Sequence, residues 1–214
     1  VFPYLEDTEP ELKKGAMVGL LRNGGIDGVL AAGANLNALI DSSESKERKF
    51  AAQVLGEVGI SSYYRPLLKL LSDDNREVRR AAAIASGKLK NPRLFPLLLE
   101  NLSESEVRNV AFSSIIAFGE PIVPDLEDAF YDKEQDPEMR TRIVQMLGKI
   151  GGERAVELLK KMMDFPERDI RHQSLRALVA SGFQAQGEEK DWIKRRIIRE
   201  SEDVTWTTSV MVDF

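Results

Sequence analysis

The chain has 214 residues, of which 43% are hydrophobic and 30% charged, a balance typical of an ordered protein. Its formal net charge of −5 argues against a nucleic-acid partner, because a non-specific nucleic-acid binder needs a basic surface to displace counterions from phosphates. With no cysteine and one histidine, it lacks the residues for disulfides, thiol nucleophiles and His- or Cys-rich metal sites, and we expect no cofactor.

Two columns of residues recur along the chain at intervals of about 30 residues, the range expected of repeat proteins. The second column follows the first by eleven residues in every copy. The first column is basic and consists of Lys13, Arg48, Arg79, Arg108, Arg140 and Arg171. The second column is mostly glycine and consists of Gly24, Gly59, Lys90, Gly119, Gly151 and Gly182.

Each copy predicts a pair of helices. Between the two columns, as in residues 78–89, apolar side chains recur every three to four residues and indicate an amphipathic helix A. The glycine column is expected to supply the left-handed residue that ends helix A. A second apolar run, such as residues 94–99, predicts a helix B. Because one such pair cannot bury its apolar face alone, neighbouring pairs must stack.

In chain order, we predict an N-terminal extension over residues 1–10, a repeat array over residues 11–200 and a final segment over residues 201–214. The final segment is expected to be a cap or the start of a truncated further repeat. The fold class predicted is all-α, an α-α superhelix of about six helix-pair units. The expected units are residues 11–42, 44–73, 75–103, 105–134, 136–165 and 167–200.

The best copy, residues 73–92 with the sequence DDNREVRRAAAIASGKLKNP, resembles HEAT-type repeats, in particular the short variety named after the phycobilisome lyases. The resemblance covers roughly residues 11–200 and implies a HEAT-like solenoid. It also implies a structural role for the arginine column, a ladder in which Arg48, Arg79, Arg108, Arg140 and Arg171 bond acidic or carbonyl groups of a neighbouring unit. The candidate acids are Asp73, Asp74, Asp136 and Asp169. The first unit departs from the pattern through its many glycines.

Three other features of the sequence bear on function. The glycine-rich stretch 24–33 lacks the lysine and Ser/Thr of a P-loop, so we expect a loose turn rather than a phosphate site. His172 has no second histidine or nucleophile motif beside it, so we expect no catalytic role. Tyr63, Tyr64 and Arg65 open a helix B and form a candidate contact patch, because tyrosine and arginine are enriched at binding hot spots.

Residues 190–199 read as a basic amphipathic helix with a local charge of +4. Trp192, Lys194, Arg195 and Arg199 are therefore candidates for meeting an acidic partner or an anionic surface. The alternative, which we favour, is the last helix B with its charges in solvent and its apolar face packed on Leu175 and Leu178.

The function predicted is a non-enzymatic scaffold whose B helices line a concave surface that docks a protein partner or a neighbouring domain. Two alternatives stay open. One is an accessory subunit of a phycobilin-lyase-like system. The other follows from residues 20–36, which resemble the soluble region of bacterial ATP/ADP-translocase-like transporters, a region implied to couple a cyclic-nucleotide-binding domain to the transporter.

The chain has no apolar run near the roughly 18 residues needed to cross a bilayer, so we expect no transmembrane span in it. We expect a cytoplasmic location, which includes the cytoplasmic side of a membrane protein. The chain begins at Val1 without a methionine and stops within an apolar run, which suggests a piece of a longer protein.

Overall fold

The computed structural model describes the backbone of residues 1–212 and the side chains of residues 1–200. All regular structure in this part of the chain is helical. The α-helices are α1 (Pro10–Asn23), α2 (Gly25–Ile40), α3 (Ser45–Val58), α4 (Tyr64–Leu71), α5 (Arg76–Leu89), α6 (Phe95–Glu100), α7 (Arg108–Phe118), α8 (Val123–Tyr131), α9 (Pro137–Ile150), α10 (Gly152–Met162), α11 (Arg168–Ala180) and α12 (Glu188–Val212). Short 3₁₀ turns precede α1, α4, α6 and α8.

The helices form two compact units. In the N-terminal unit, Val1–Asp128, the A helices α1, α3, α5 and α7 contact one another in series, and the B helices α2, α4 and α6 pack against them. Leucines of α4 and alanines of α5 are almost fully buried between these layers. The boundary of this unit lies within α8, inside the predicted unit 105–134, and the division into six units remains a prediction.

The C-terminal unit begins at Ala129. Its A helices α9 and α11 pack against each other, and α10 contacts both of them. At the start of α9, Pro137 occupies the first turn and the Asp136 carboxylate accepts a hydrogen bond from the Met139 N–H at 3.3 Å. Such a cap satisfies one of the backbone donors that a helix leaves free at its N-terminus.

Neighbouring A helices approach closely at three glycines. A Cβ atom added at Gly56 would lie 3.0 Å from the Ala85 Cβ, and one added at Gly148 would lie 2.8 Å from the Ala177 Cβ. Gly87 packs in the same way against Ser114. These glycines therefore bring the backbone of one A helix directly against the side chains of the next.

The glycine column has positive φ angles at five of its six positions, but the expectation of a left-handed residue at Gly24 is wrong. Gly24 has φ −77°, and the positive φ of 62° is found at the next residue, Gly25. Lys90, the only residue of the column that is not glycine, has φ 51° and ends α5. The other four are Gly59, Gly119, Gly151 and Gly182.

The loose turn expected over residues 24–33 is also wrong, because all but the first of these residues belong to α2. Ala32, Leu36 and Ile40 of α2 are buried, and α2 packs against both α1 and α3. Their burial outweighs the conformational cost that glycines impose on a helix. At the other end of the chain, residues 201–212 continue α12 instead of forming a separate helix, and residues 213 and 214 lie outside the described part.

Candidate partner-binding surfaces

The arginine column joins each A helix to the chain segment that precedes it. Each of these arginines donates hydrogen bonds to two backbone carbonyls earlier in the chain. For four of them the carbonyls lie five and six residues back, as for Arg108, which bonds Leu102 O at 2.8 Å and Ser103 O at 3.0 Å. The arginines with these bonds are Arg48, Arg79, Arg108, Arg140 and Arg171. These bonds satisfy carbonyls that a helix end would otherwise leave without a partner.

Four of the five arginines also face a carboxylate 25 to 29 residues further along the chain. Arg48 donates two hydrogen bonds to Asp73, at 2.6 and 2.9 Å, and Asp73 is one of the acids predicted from the sequence. The other partners are Glu104 for Arg79 at 3.4 Å, Glu167 for Arg140 at 4.0 Å and Glu200 for Arg171 at 2.5 Å. For Arg108, the described residues show carbonyl partners alone.

Three of the four candidate acids do not form the predicted side-chain contacts with the arginine column. The Asp74 carboxylate forms no ion pair with a ladder arginine among the described residues, and its backbone carbonyl accepts from Arg79 at 3.2 Å. Asp136 caps α9 instead, and Asp169 lies in the first turn of α11, where no ion pair with a ladder arginine occurs among the described residues. Of the carboxylates that lie one helix pair further on, the repeat pattern pointed to Asp73 but not to Glu104, Glu167 or Glu200.

The ion pairs with Arg48 and Arg171 lower the pKa values of the Asp73 and Glu200 carboxyl groups. Burial acts to raise the pKa of Asp73, but hydrogen bonds from Arg48 and the Asn75 N–H, together with the nearby guanidinium charges, lower it below its ordinary value. The hydrogen bonds from Arg171 lower the pKa of Glu200 in the same way. His172 lies 3.2 Å from Glu200 and so shares the carboxylate that Arg171 binds. This histidine is placed in an ion-pair cluster between two helices.

The Tyr63–Tyr64–Arg65 cluster is partly engaged within the protein. Arg93 donates a hydrogen bond to the Tyr64 hydroxyl, and its guanidinium lies 5.1 Å from the centre of the Tyr64 ring. Hydrogen bonding to Arg65 and Arg93 lowers the pKa of Tyr64. Tyr63 is half-buried and Arg65 is exposed, so Arg65 is the member of this cluster that is most available to a partner.

The basic helix at the C-terminal end exposes more apolar surface than the favoured interpretation allowed. Ile197 and Ile198 are 52% and 54% exposed, so the expectation that the whole apolar face packs on Leu175 and Leu178 is wrong. Arg196 pairs with Asp164 and lies 5.4 Å from the ring centre of the half-buried Trp192. We call the α12 surface the set Trp192, Lys194, Arg195, Ile197, Ile198 and Arg199, in which all three cations are exposed.

Sequence reasoning missed a groove of about 400 Å³ in the N-terminal unit. This α3–α5 groove is lined by one stripe of α3 within residues 49–57, one stripe of α5 within residues 77–88, and Lys14 of α1. The sequence signal that could have revealed this groove is the pattern on the exposed side of α5. Arg80, Ile84 and Lys88 recur at helical spacing and include an isoleucine where a solvated face would be polar.

Neither a metal site nor a membrane span is found within the described residues. No group of three or more histidine or acidic side chains there could hold a metal ion. In the same part of the chain, no helix combines the length and the apolar character that a membrane span requires.

The family described as HEAT repeats matches residues 34–119 and 104–179, which together make up more than half of the chain. The protein therefore belongs to the HEAT-repeat family, and the prediction of an all-α protein of the α-α superhelix class is confirmed. Among curated proteins, it is similar to the uncharacterized phycocyanin operon protein Z of Pseudanabaena tenuis. The two are 26% identical over 179 residues, which cover 76% of this chain and 83% of that protein.

Solved structures of helical repeat proteins are more distant. The complex of CpcE and CpcF of phycocyanin lyase from a Nostoc species is 20% identical, with a TM-score of 0.47 and coverage of 85% of this chain and 76% of that one. A designed armadillo repeat protein is 18% identical, with a TM-score of 0.43 and coverage of 84% and 98%. These superpositions are too loose to carry an argument about function.

Proposed function

We propose that the protein is a non-enzymatic repeat scaffold that binds a phycobiliprotein and that the α12 surface is the docking site. The observation that carries the proposal is the pair of half-exposed isoleucines, Ile197 and Ile198, set among exposed cations. The similarity to a phycocyanin operon protein over most of both chains supports the class of partner.

The composition of the α12 surface suits a binding site. Protein interfaces combine an apolar centre with a polar rim, and aromatic and arginine side chains are enriched at their hot spots. Full burial of an isoleucine contributes about 1.5–3 kcal/mol, so covering the exposed half of Ile197 and of Ile198 contributes about 1 kcal/mol each. Lys194, Arg195 and Arg199 would attract an acidic partner surface and fix its orientation.

The assignment of a scaffold role draws support from how the charged residues are used. The column arginines bond loop carbonyls, and four of them also pair with carboxylates of a following segment. His172 shares the Glu200 carboxylate with Arg171. The single histidine and the Glu200 carboxylate thus contribute to a contact between helices.

The test is isothermal titration calorimetry of the purified chain with phycocyanin α and β subunits, each with and without bilin. We expect at least one form to bind. We also expect the Ile197→Ser/Ile198→Ser double variant to bind about 30-fold more weakly, since about 1.4 kcal/mol corresponds to a factor of ten. Val179→Ser is the control, because Val179 is 80% exposed but lies outside the α12 surface. Undetectable binding of every form, or equal affinity of the double variant, would contradict the proposal.

An accessory role in bilin attachment is the finer form of the same proposal. It adds one expectation, that the protein increases the rate at which a phycocyanin lyase attaches bilin, measured by absorbance of the product. If the protein binds the phycobiliprotein but the rate of bilin attachment does not change, the protein binds its partner without assisting attachment. The transporter-associated alternative remains a hypothesis that rests on residues 20–36 together with the repeat type.

A further inference from the structure

The α3–α5 groove runs between two parallel A helices. Lys49 of α3 pairs with Glu77 of α5 at 2.9 Å, and Glu57, two turns further along α3, faces Lys88, three turns further along α5, at 3.5 Å. Since the residue numbers of the contacting side chains increase along both helices, α3 and α5 run in the same direction. The lining stripe of α5, from residue 77 to residue 88, spans three turns or about 16 Å.

The floor of the groove is apolar and shallow. Ala52 and Gly56 of α3 and Ala81 and Ala85 of α5 form it, and the close contact of Gly56 with Ala85 holds the helices together beneath it. Ile84 is the large apolar side chain in the lining, and it is 47% exposed. Because Ile84 is half-exposed above a surface of alanines, an apolar side chain from another molecule could pack against it.

The charges around the groove favour an acidic occupant. Its lining holds four cations and two carboxylates, a net charge of +2 on a chain whose net charge is −5. Both carboxylates already pair with lysines, and Lys14 pairs with Glu11 at 2.8 Å. Arg80 is exposed, and although its charge acts on Glu77 one turn away, it forms no ion pair within 4.0 Å among the described residues. Its guanidinium is therefore available to bind a carboxylate with two hydrogen bonds.

We propose that the α3–α5 groove binds an acidic amphipathic helix supplied by a protein partner. Apolar side chains at helical spacing would cover Ile84 and the alanine floor, and a carboxylate on the same helix would pair with Arg80. A helix fits better than an extended segment, because the groove lies between two parallel helices whose exposed side chains form ridges at helical spacing. This site lies in the N-terminal unit and is independent of the α12 surface, so it goes beyond the proposed function.

The probe is a fluorescein-labelled 18-residue helical peptide with leucines at every third or fourth position and glutamates on the flanking faces. A matched peptide carries lysines in place of the glutamates. Fluorescence anisotropy with the full chain is expected to show at least tenfold tighter binding of the acidic peptide, with the preference decreasing at high salt. Equal binding of the two peptides, or binding of neither, overturns the proposal.

Variants locate the site. We expect Ile84→Ser and Arg80→Glu each to weaken binding of the acidic peptide at least fivefold. Ile60→Ser and Arg176→Glu, exposed positions outside the groove, are expected to leave it unchanged. The Ile197→Ser/Ile198→Ser variant is also expected to bind as wild type does. If this last variant loses the peptide while Arg80→Glu keeps it, the peptide binds at α12 and the groove proposal is wrong. Circular dichroism melts verify that each variant is folded.

Discussion

The contact between Gly148 and Ala177 allows a sharp test of how the A helices pack. In a Gly148→Ala variant, the new Cβ would lie 2.8 Å from both the Cα and the Cβ of Ala177 and 2.9 Å from its carbonyl oxygen. Normal carbon–carbon contacts are about 3.5–4.0 Å. Two of the three atoms belong to the backbone, so a side-chain rotation cannot relieve the overlap and α9 must move away from α11.

The magnitude follows from two opposing terms. Overpacking a tight core costs about 1–3 kcal/mol, and three overlaps on rigid atoms place this variant near the upper end, at about 3 kcal/mol. Replacing glycine by alanine inside a helix returns about 1 kcal/mol. The expected net loss is about 2 kcal/mol, which lowers the melting temperature by about 4–8 °C for a protein of this size.

Urea unfolding followed by far-ultraviolet circular dichroism measures the loss. The matched control is Gly33→Ala in α2, where an added Cβ meets nothing within 4 Å. This control is expected to gain about 0.5–1 kcal/mol. Gly56→Ala and Gly87→Ala, with nearest contacts of 3.0 Å, should fall between the two. A Gly148→Ala variant that is as stable as Gly33→Ala would refute the inferred close approach.

Two further predictions concern the arginine column. Arg108→Ala should lower the free energy of unfolding by about 1–3 kcal/mol, because the carbonyls of Leu102 and Ser103 lose their donors; an unchanged urea midpoint would contradict this. Asp73→Asn should be less stable than wild type at pH 7. Because the folded pKa of Asp73 is lowered, the stability it contributes is lost as pH falls below roughly 4, so the difference in urea midpoint should shrink toward pH 3. Asp74→Asn is the control, because the Asp74 carboxylate forms no ion pair with the arginine column among the described residues, and it should lose less stability than Asp73→Asn at pH 7.

The sequence predicted the features that repeat. A residue that serves the same contact in every helix pair recurs at a fixed interval, which is why the arginine column and most of the glycine column could be located without coordinates. Lys90 shows that the spacing alone predicts the backbone conformation. It adopts the left-handed conformation at a position where the pattern predicts glycine. Position within the repeat, and not residue type, determined that backbone conformation.

Features that depend on one place in the chain could not be predicted in this way. Residues 25–33 contain three glycines, yet they belong to α2, a helix that buries Gly28 and Ala32 and packs against α1 and α3. The partner of Arg171 is Glu200, 29 residues away on another helix, and local sequence does not show that pairing. Likewise, exposure of Ile84 and Ile198 depends on which neighbouring helix covers them, which periodicity does not specify.

The glycine contacts between A helices also bear on how such a surface could acquire new ligands. Where Gly56 meets Ala85, the distance between α3 and α5 is fixed by main-chain atoms and a single methyl group. Substitutions at outward-facing neighbours such as Ile84 and Arg80 can then alter charge and shape while the width between the helices stays constant. Substitutions that change the lining of the α3–α5 groove can therefore alter which ligand binds there, while the packing of α3 against α5 stays the same.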